Sequence, residues 1–184
     1  MTSSVSLPSG VSLELLIDEL RRLSWGAADI LRAYARGEQP PFGFERTLRV
    51  NDIGDGPVSA ADLAVNTWLL DGLRNHSPNA EWILLSEETA KDQINDGSLI
   101  SGEMVWILDP LDGTKDFLQG TGEYAIHLAL VNDHRPVLGL VLLPELEELW
   151  IGILGIGTWC EDRKGQKSSV RFSNRRNIDE LILV

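Results

Sequence analysis

The residues with the clearest chemical content lie in one run, Met104 to Phe117, reading MVWILDPLDGTKDF. Val105, Ile107 and Leu108 favour a strand. That strand is predicted to deliver Asp109 at its end, where Pro110 forbids further ladder pairing. Asp112 follows three residues later, and Gly113 and Thr114 open a short helix, with free N–H groups and a positive dipole end. Two carboxylates so close in a tight turn, with the Leu111 carbonyl between them, offer clustered hard oxygens. Such donors suit Mg²⁺ or Mn²⁺ rather than zinc. A cation site beside a helix N-terminus suits metal plus phosphate, and metal-assisted hydrolysis of a phosphate ester is the matching reaction. The bland alternative is an Asx turn in which Asp112 caps the following helix; it accounts for one carboxylate but not both. The local sequence leaves both readings open.

The segment Asp109–Thr114 resembles the DPxDGT signature of the lithium-sensitive, Mg²⁺-dependent phosphatases related to inositol monophosphatase. Its continuation, Lys115-Asp116-Phe117 and then GEYAIHLALV at 122–131, is more similar to the CysQ-type 3'(2'),5'-bisphosphate nucleotidases. In inositol monophosphatase itself TNF usually follows. GPVSAAD at 56–62 and LLSEET at 84–89 resemble the family's earlier motifs, in the same order. The resemblance therefore covers almost the whole chain.

It implies an α+β fold, a sugar-phosphatase-like layered α/β sandwich with an antiparallel sheet. It implies Mg²⁺ as cofactor, two or three ions in a complete family member, with Glu87, Asp109, the Leu111 carbonyl and Asp112 as ligands. Thr114 and Asp62 would be the catalytic pair, the threonine donating to the aspartate, and Gly113 and Thr114 would receive the substrate phosphate. The implied reaction removes the 3'-phosphate of adenosine 3',5'-bisphosphate to give AMP and phosphate, in sulfur assimilation and nucleotide recycling, with lithium as inhibitor. Its partner would be a small phosphate ester, a nucleotide. An inositol monophosphatase or related sugar phosphatase is the nearest alternative.

Composition sets the outer bounds. A chain of 184 residues, 43% hydrophobic, is long enough for one domain with a sizeable core. A formal net charge of −12 argues against nucleic acid or an anionic membrane as the main partner. An anionic substrate remains compatible, because bound cations reverse the local field. The single cysteine, Cys160, permits no internal disulfide, and no apolar run reaches transmembrane length. MTSSVSLPSG lacks the basic and apolar regions of a secretory signal, so the expected compartment is the cytoplasm.

The elements that must position these residues follow from periodicity. Leu13, Leu16, Ile17, Leu20, Leu23, Ala27, Ile30, Leu31 and Tyr34 recur at helical spacing, with Ser12 as N-cap and Gly37 as stop. Residues 38–56 read as a loop with one short strand around Thr47–Val50. A second helix starts near Ser59 and ends before Ser77-Pro78; Ser59 with Asp62 resembles a capping box, the structural alternative for Asp62. Trp82–Leu85 is a short strand with Glu87 and Glu88 at its exit. Taken alone, these glutamates read as a solvated loop. Beside Asp109 and Asp112, Glu87 becomes a third carboxylate, with Glu88 supporting it or solvated.

Residues 90–103 read as an exposed loop. Residues 123–131 and 137–143 read as paired strands, and 149–153 with 157–160 as a further hairpin. The predicted arrangement is a long antiparallel sheet with helices 12–36 and 59–75 packed on one face.

Three features are set aside. Gly152, Gly155 and Gly157 do not have the order of a dinucleotide loop. His76, His127 and His134 lack ligand spacing and read as surface or packing residues. Cys160 reads as a small buried hydrophobe. The chain also departs from the family pattern. Residues 1–184 read as a single family domain incomplete at its C-terminus, since Leu181–Val184 reads as a strand with nothing after it and the family's later WD motif is absent. On that reading the isolated chain is expected to be inactive, or a non-catalytic fragment. Asp52 and Asp55 occupy the region of a family lysine, and Asp55 is a candidate acidic support.

Overall fold

The computed structural model describes residues 5–47, 49–52, 57–90 and 104–171, with residues 51, 52, 57 and 58 described by backbone alone. Asp55, most of the 90–103 loop and the Leu181–Val184 strand lie outside the described residues.

Helix α1 spans Leu13–Ala35 and α2 spans Ala60–His76. The predicted caps form. Ser12 Oγ accepts from Leu15 N–H, and Ser59 with Asp62 makes a reciprocal capping box. The apolar stripe of α1, from Leu16 through Leu20, Leu23 and Ala27 to Leu31, is wholly buried. The two helices approach closely where each carries a glycine. A methyl at Gly26 would lie 2.6 Å from the Trp68 ring, and one at Gly72 would overlap Leu23. Trp68 then donates its indole N–H to the Leu23 carbonyl at 2.9 Å, locking the crossing.

A short antiparallel pair, β1 (Val50–Asp52) and β2 (Pro57–Ser59), leads into α2. The main sheet has seven strands in sequence order: β3 (Ile83–Ser86), β4 (Met104–Asp112), β5 (Ala125–Asn132), β6 (Arg135–Leu143), β7 (Glu148–Ile153), β8 (Gly157–Glu161) and β9 (Lys167–Ser169). From β4 onward it is an antiparallel meander, and α1 and α2 contact β6 and β4 respectively. The core lies between helices and sheet, with Trp106, Leu108, Leu128, Leu130 and Leu140 supplied by the strands.

Three predictions need correction. The sheet is not wholly antiparallel, because β3 pairs with β4 in parallel, Ile83 opposite Val105 and Ser86 opposite Leu108. Parallel neighbours require a crossover, and α1 and α2, which both precede β3 in the chain, take no part in it. Strand β4 also does not stop at Pro110. Its pairing with β5 skips from Asp109↔His127 to Asp112↔Ala125, so β4 carries one extra residue, a β-bulge. A bulge is where a strand tolerates a residue lacking a ladder N–H. The early strand lies at Val50–Asp52, slightly later than predicted.

The far edge of the sheet is tied to α1 by a buried ion pair. Glu161 is 1% exposed and accepts from Arg21 Nε at 2.6 Å, Arg21 Nη2 at 3.2 Å and Trp159 Nε1 at 2.9 Å. Removing one partner strands a buried charge, a larger penalty than removing both. Arg21→Met should therefore lower the unfolding free energy by about 3 kcal/mol. The double variant Arg21→Met/Glu161→Leu should recover much of it, as read by urea denaturation.

Candidate functional site

The site is built where β3, β4 and the N-terminus of α2 end together. Parallel register places Ser86 beside Leu108, so the next residues of the two strands, Glu87 and Asp109, emerge side by side although far apart in sequence. The two carboxyls are hydrogen-bonded to each other. In an unbroken strand, residues three apart point to opposite faces. The extra residue at Pro110–Leu111 cancels one step, so Asp109 and Asp112 pair with His127 and Ala125, which share a face of β5. Asp109 Oδ1 accepts the Leu111 N–H at 3.1 Å, which holds the bulge closed.

Gly113 then turns the chain with φ +86°, and a Cβ there would lie 2.9 Å from the Glu123 carbonyl oxygen. Only glycine meets both conditions. Helix α3, Thr114–Gln119, follows at once. The hydroxyl of Thr114 lies 3.2 Å from Asp62 Oδ1 and 3.1 Å from the Leu111 carbonyl oxygen. Asp62, 2% exposed, accepts from Ser59 N–H at 2.8 Å and Ser59 Oγ–H at 2.5 Å through its other oxygen. The cap and the link to Thr114 coexist on one carboxylate, one oxygen each. No alternative had to give way.

Charge governs the electrostatics. Burial, and after it the neighbouring Asp109 charge, raises the Glu87 carboxyl above its ordinary range. Burial raises Asp109 too, opposed by the Leu111 N–H it accepts. Burial raises Asp62 despite its hydrogen bonds. Glu88, half-buried rather than solvated, is pushed up to about 7 by burial and by Asp62, Glu87 and Asp109. Sequence reasoning left Glu88 at the margin; it faces the same cluster.

Sequence reasoning also set His127 aside. Its Nε2 lies 3.9 Å from Asp112 Oδ2, and it stands opposite Asp109 across the ladder. Pairing the 104–109 and 123–131 strands as a hairpin, from Asp112 back toward Met104, would have located it.

Glu87, Asp109, Asp112 and the Leu111 carbonyl form an oxygen donor set whose chemistry fits a hard divalent cation. As they stand, no three acidic, histidine or cysteine side chains among the described residues are gathered tightly enough to enclose one. Their mutual repulsion is eased by the hydrogen bond between Glu87 and Asp109.

The model of the inositol monophosphatase family matches residues 12–184. The chain belongs to that family. A Salmonella typhimurium protein named 3'(2'),5'-bisphosphate nucleotidase CysQ is 31% identical over 174 residues, covering 90% of this chain and 66% of the relative. The extragenic suppressor protein suhB of Bartonella henselae superposes with a TM-score of 0.66 at 26% identity, covering 88% of this chain and 55% of that one. A structure described as IMPase/NADP phosphatase complexed with Mg²⁺ and phosphate shares the fold, with a TM-score of 0.61 at 20% identity over 80% of this chain and 49% of that one. The chain thus spans about half to two thirds the length of these proteins. The α+β layered fold expected from the DPLDGT resemblance is that of the family. Among the described residues no helix is long and apolar enough to cross a membrane.

The raised carboxyls make a pH prediction for the metal-free chain. A folded-state pKa above the unfolded one contributes stability that is complete below the unfolded value and is lost as pH rises through the folded value. For Glu88 the window runs from 4.5 to about 7. Glu88→Gln, which mimics the neutral form, should match the parent near pH 4. In chelator-containing buffer it should be more stable by roughly 1–2 kcal/mol above pH 7, after allowance for solvent screening. Urea midpoints across that range check it.

Proposed function

We propose that the chain carries the phosphate-ester site of a Mg²⁺-dependent phosphomonoesterase, and that its substrate is adenosine 3',5'-bisphosphate, cleaved at the 3'-phosphate. One observation carries the reading. Glu87 and Asp109 meet at adjacent strand ends, Asp112 shares their side of β4, and the Thr114 hydroxyl bridges Asp62 and the Leu111 carbonyl beside them. Support for the nucleotide comes from Lys115-Asp116-Phe117 and from the name of the Salmonella relative. Support for Mg²⁺ comes from the oxygen donors and the fold neighbour solved with Mg²⁺ and phosphate.

Glu87, Asp109, the Leu111 carbonyl and Asp112 would hold the cation. A bound divalent cation supplies Lewis acidity and neutralises charge on the ester oxygens. The chain's own groups do the positioning. Thr114 has one hydroxyl proton, and both of its close partners, Asp62 and the Leu111 carbonyl, are acceptors. Donating to either leaves its lone pairs to accept from a water and aim it in line with the phosphorus. Asp62, fixed by Ser59, keeps the hydroxyl from rotating away. The N–H groups of Gly113 and Thr114, at the start of α3, would receive phosphate oxygens.

For protein containing this chain, Mg²⁺-dependent phosphate release should show kcat/KM for adenosine 3',5'-bisphosphate far above that for inositol 1-phosphate. A ratio near one or below rejects the nucleotide assignment. Asp109→Asn should lower kcat by about 10²–10³ or more. Thr114→Val, which keeps the shape but loses the hydroxyl, should lower kcat with little change in KM.

A further inference from the structure

A cavity with Asp112 on its wall plays no part in the reaction as proposed. It measures about 870 Å³ and lies where the C-terminal end of α1, α3 and the turn after β6 converge. Two buried aromatic rings line it, Phe117 and Tyr124, meeting edge to face with centroids 5.0 Å apart. Exposed Leu146 adds a further apolar surface, and the Tyr124 hydroxyl donates to Glu145 Oε1 at 2.6 Å. Apolar faces with a few placed polar groups are the ordinary make-up of a small-molecule pocket.

Arg36 is the one basic residue lining this cavity among the described residues. Its guanidinium has no hydrogen bond or ion pair among them, whereas Arg32, one turn earlier on α1, is held by Glu147 at 2.6 Å. Arg36 is not needed to cap the helix by its side chain either. The backbone N–H groups of Arg36, Gly37 and Glu38 already reach the carbonyls of Arg32, Tyr34 and Ala33. Its charge is felt on the cavity wall: burial and Glu145 raise the pKa of the Tyr124 hydroxyl, and Arg32 and Arg36 oppose that rise. Three carboxylates, Asp112, Glu123 and Glu145, line the cavity with this one cation. A divalent ion at Asp112 would offset two of those charges, so that a second anion is no longer kept from the arginine.

We infer that this cavity receives the leaving alcohol of the ester, and that Arg36 selects alcohols carrying a second phosphate, the 5'-phosphate of the proposed nucleotide. The inference rests on the phosphomonoesterase reading and specifies what sets its substrates apart. A guanidinium meets a phosphate with two parallel N–H···O bonds, a match that neither an amide nor an ammonium reproduces.

The test compares substrates that differ only in the second phosphate. Mg²⁺-dependent phosphate release is measured on adenosine 3',5'-bisphosphate and adenosine 3'-phosphate, for protein containing this chain and for its Arg36→Gln and Arg36→Lys variants. Arg36→Gln should raise KM for the bisphosphate about tenfold or more and leave the monophosphate within about twofold, with kcat little changed. Arg36→Lys, which keeps the charge and loses the fork, should fall between. Calorimetric binding of AMP and adenosine gives a readout without turnover. The parent should prefer AMP, which retains the 5'-phosphate, and Arg36→Gln should erase that preference. An unchanged ratio between the two substrates, or an equal loss on both, overturns the role of Arg36 and leaves the phosphomonoesterase reading intact. A preference for AMP that survives Arg36→Gln overturns it as well. If the parent releases phosphate from neither substrate, the reaction itself is rejected and the inference fails with it.

Discussion

Everything at this site depends on bringing like charges together. Burial raises the carboxyls of Asp62, Glu87, Glu88 and Asp109; neighbouring charge then adds to Glu87 (from Asp109, Asp62 and Asp112), to Glu88 (from Asp62, Glu87 and Asp109) and to Asp109 (from Asp112). Carboxylates left to themselves would separate into solvent. They stay because each is fixed to backbone that has no freedom to move: Asp62 in the first turn of a buried helix, Glu87 at the exit of β3, Asp109 in a ladder opposite His127. The core between α1, α2 and β4–β6 supplies the rigidity. A packed interior transmits strain and does not yield gradually, so the repulsion is stored as a demand for positive charge.

The demand is shaped by backbone geometry as much as by residue type. One parallel strand pair sets Glu87 beside Asp109, and one bulge puts Asp112 on the same side as Asp109. One left-handed glycine then starts α3 close enough for Thr114 to reach Asp62. Each device acts over two or three residues. Removing any one would leave the side chains in the sequence and disperse the site.

Much of this was legible in the sequence, for physical reasons that vary by element. Helix α1 was visible because a long 3.6-residue periodicity and its caps reinforce each other. Ser59 with Asp62 was visible because the capping box is local. The meander of β5 to β8 was visible from turn residues between apolar runs. The β3–β4 pairing was not, because a four-residue strand carries no signal of direction, and parallel or antiparallel partners look alike. Pro110 misled for a similar reason: a proline ends a regular ladder but is tolerated at a bulge, and bulges leave no periodic mark. His127 is the surface residue it reads as, and Glu88 supports the cluster as one of its two readings had it; what the sequence does not mark is their nearness to Asp112 and to Glu87 and Asp109, which depends on a cross-strand neighbour and a strand end.

The sheet's two faces divide its labour. Toward the helices it presents Trp106, Leu108, Leu128 and Leu140, all buried. Toward the other side it presents Ile107, 44% exposed, with Trp150 and Val141 lining the cavity that contains Asp109 and His127. An apolar wall beside a charged cluster has an electrostatic consequence. It lowers the polarity on one side of half-buried Asp109 while Asp112 stays open to solvent, so a cation beside Asp109 meets a stronger field than it would on a wholly polar surface. The same wall leaves the carboxyls unable to ionise together cheaply when no cation is present. Selectivity for a multiply charged ion and instability of the ionised, empty cluster are thus one property. They follow from placing Asp109 at the end of a strand whose preceding residue on that face is isoleucine.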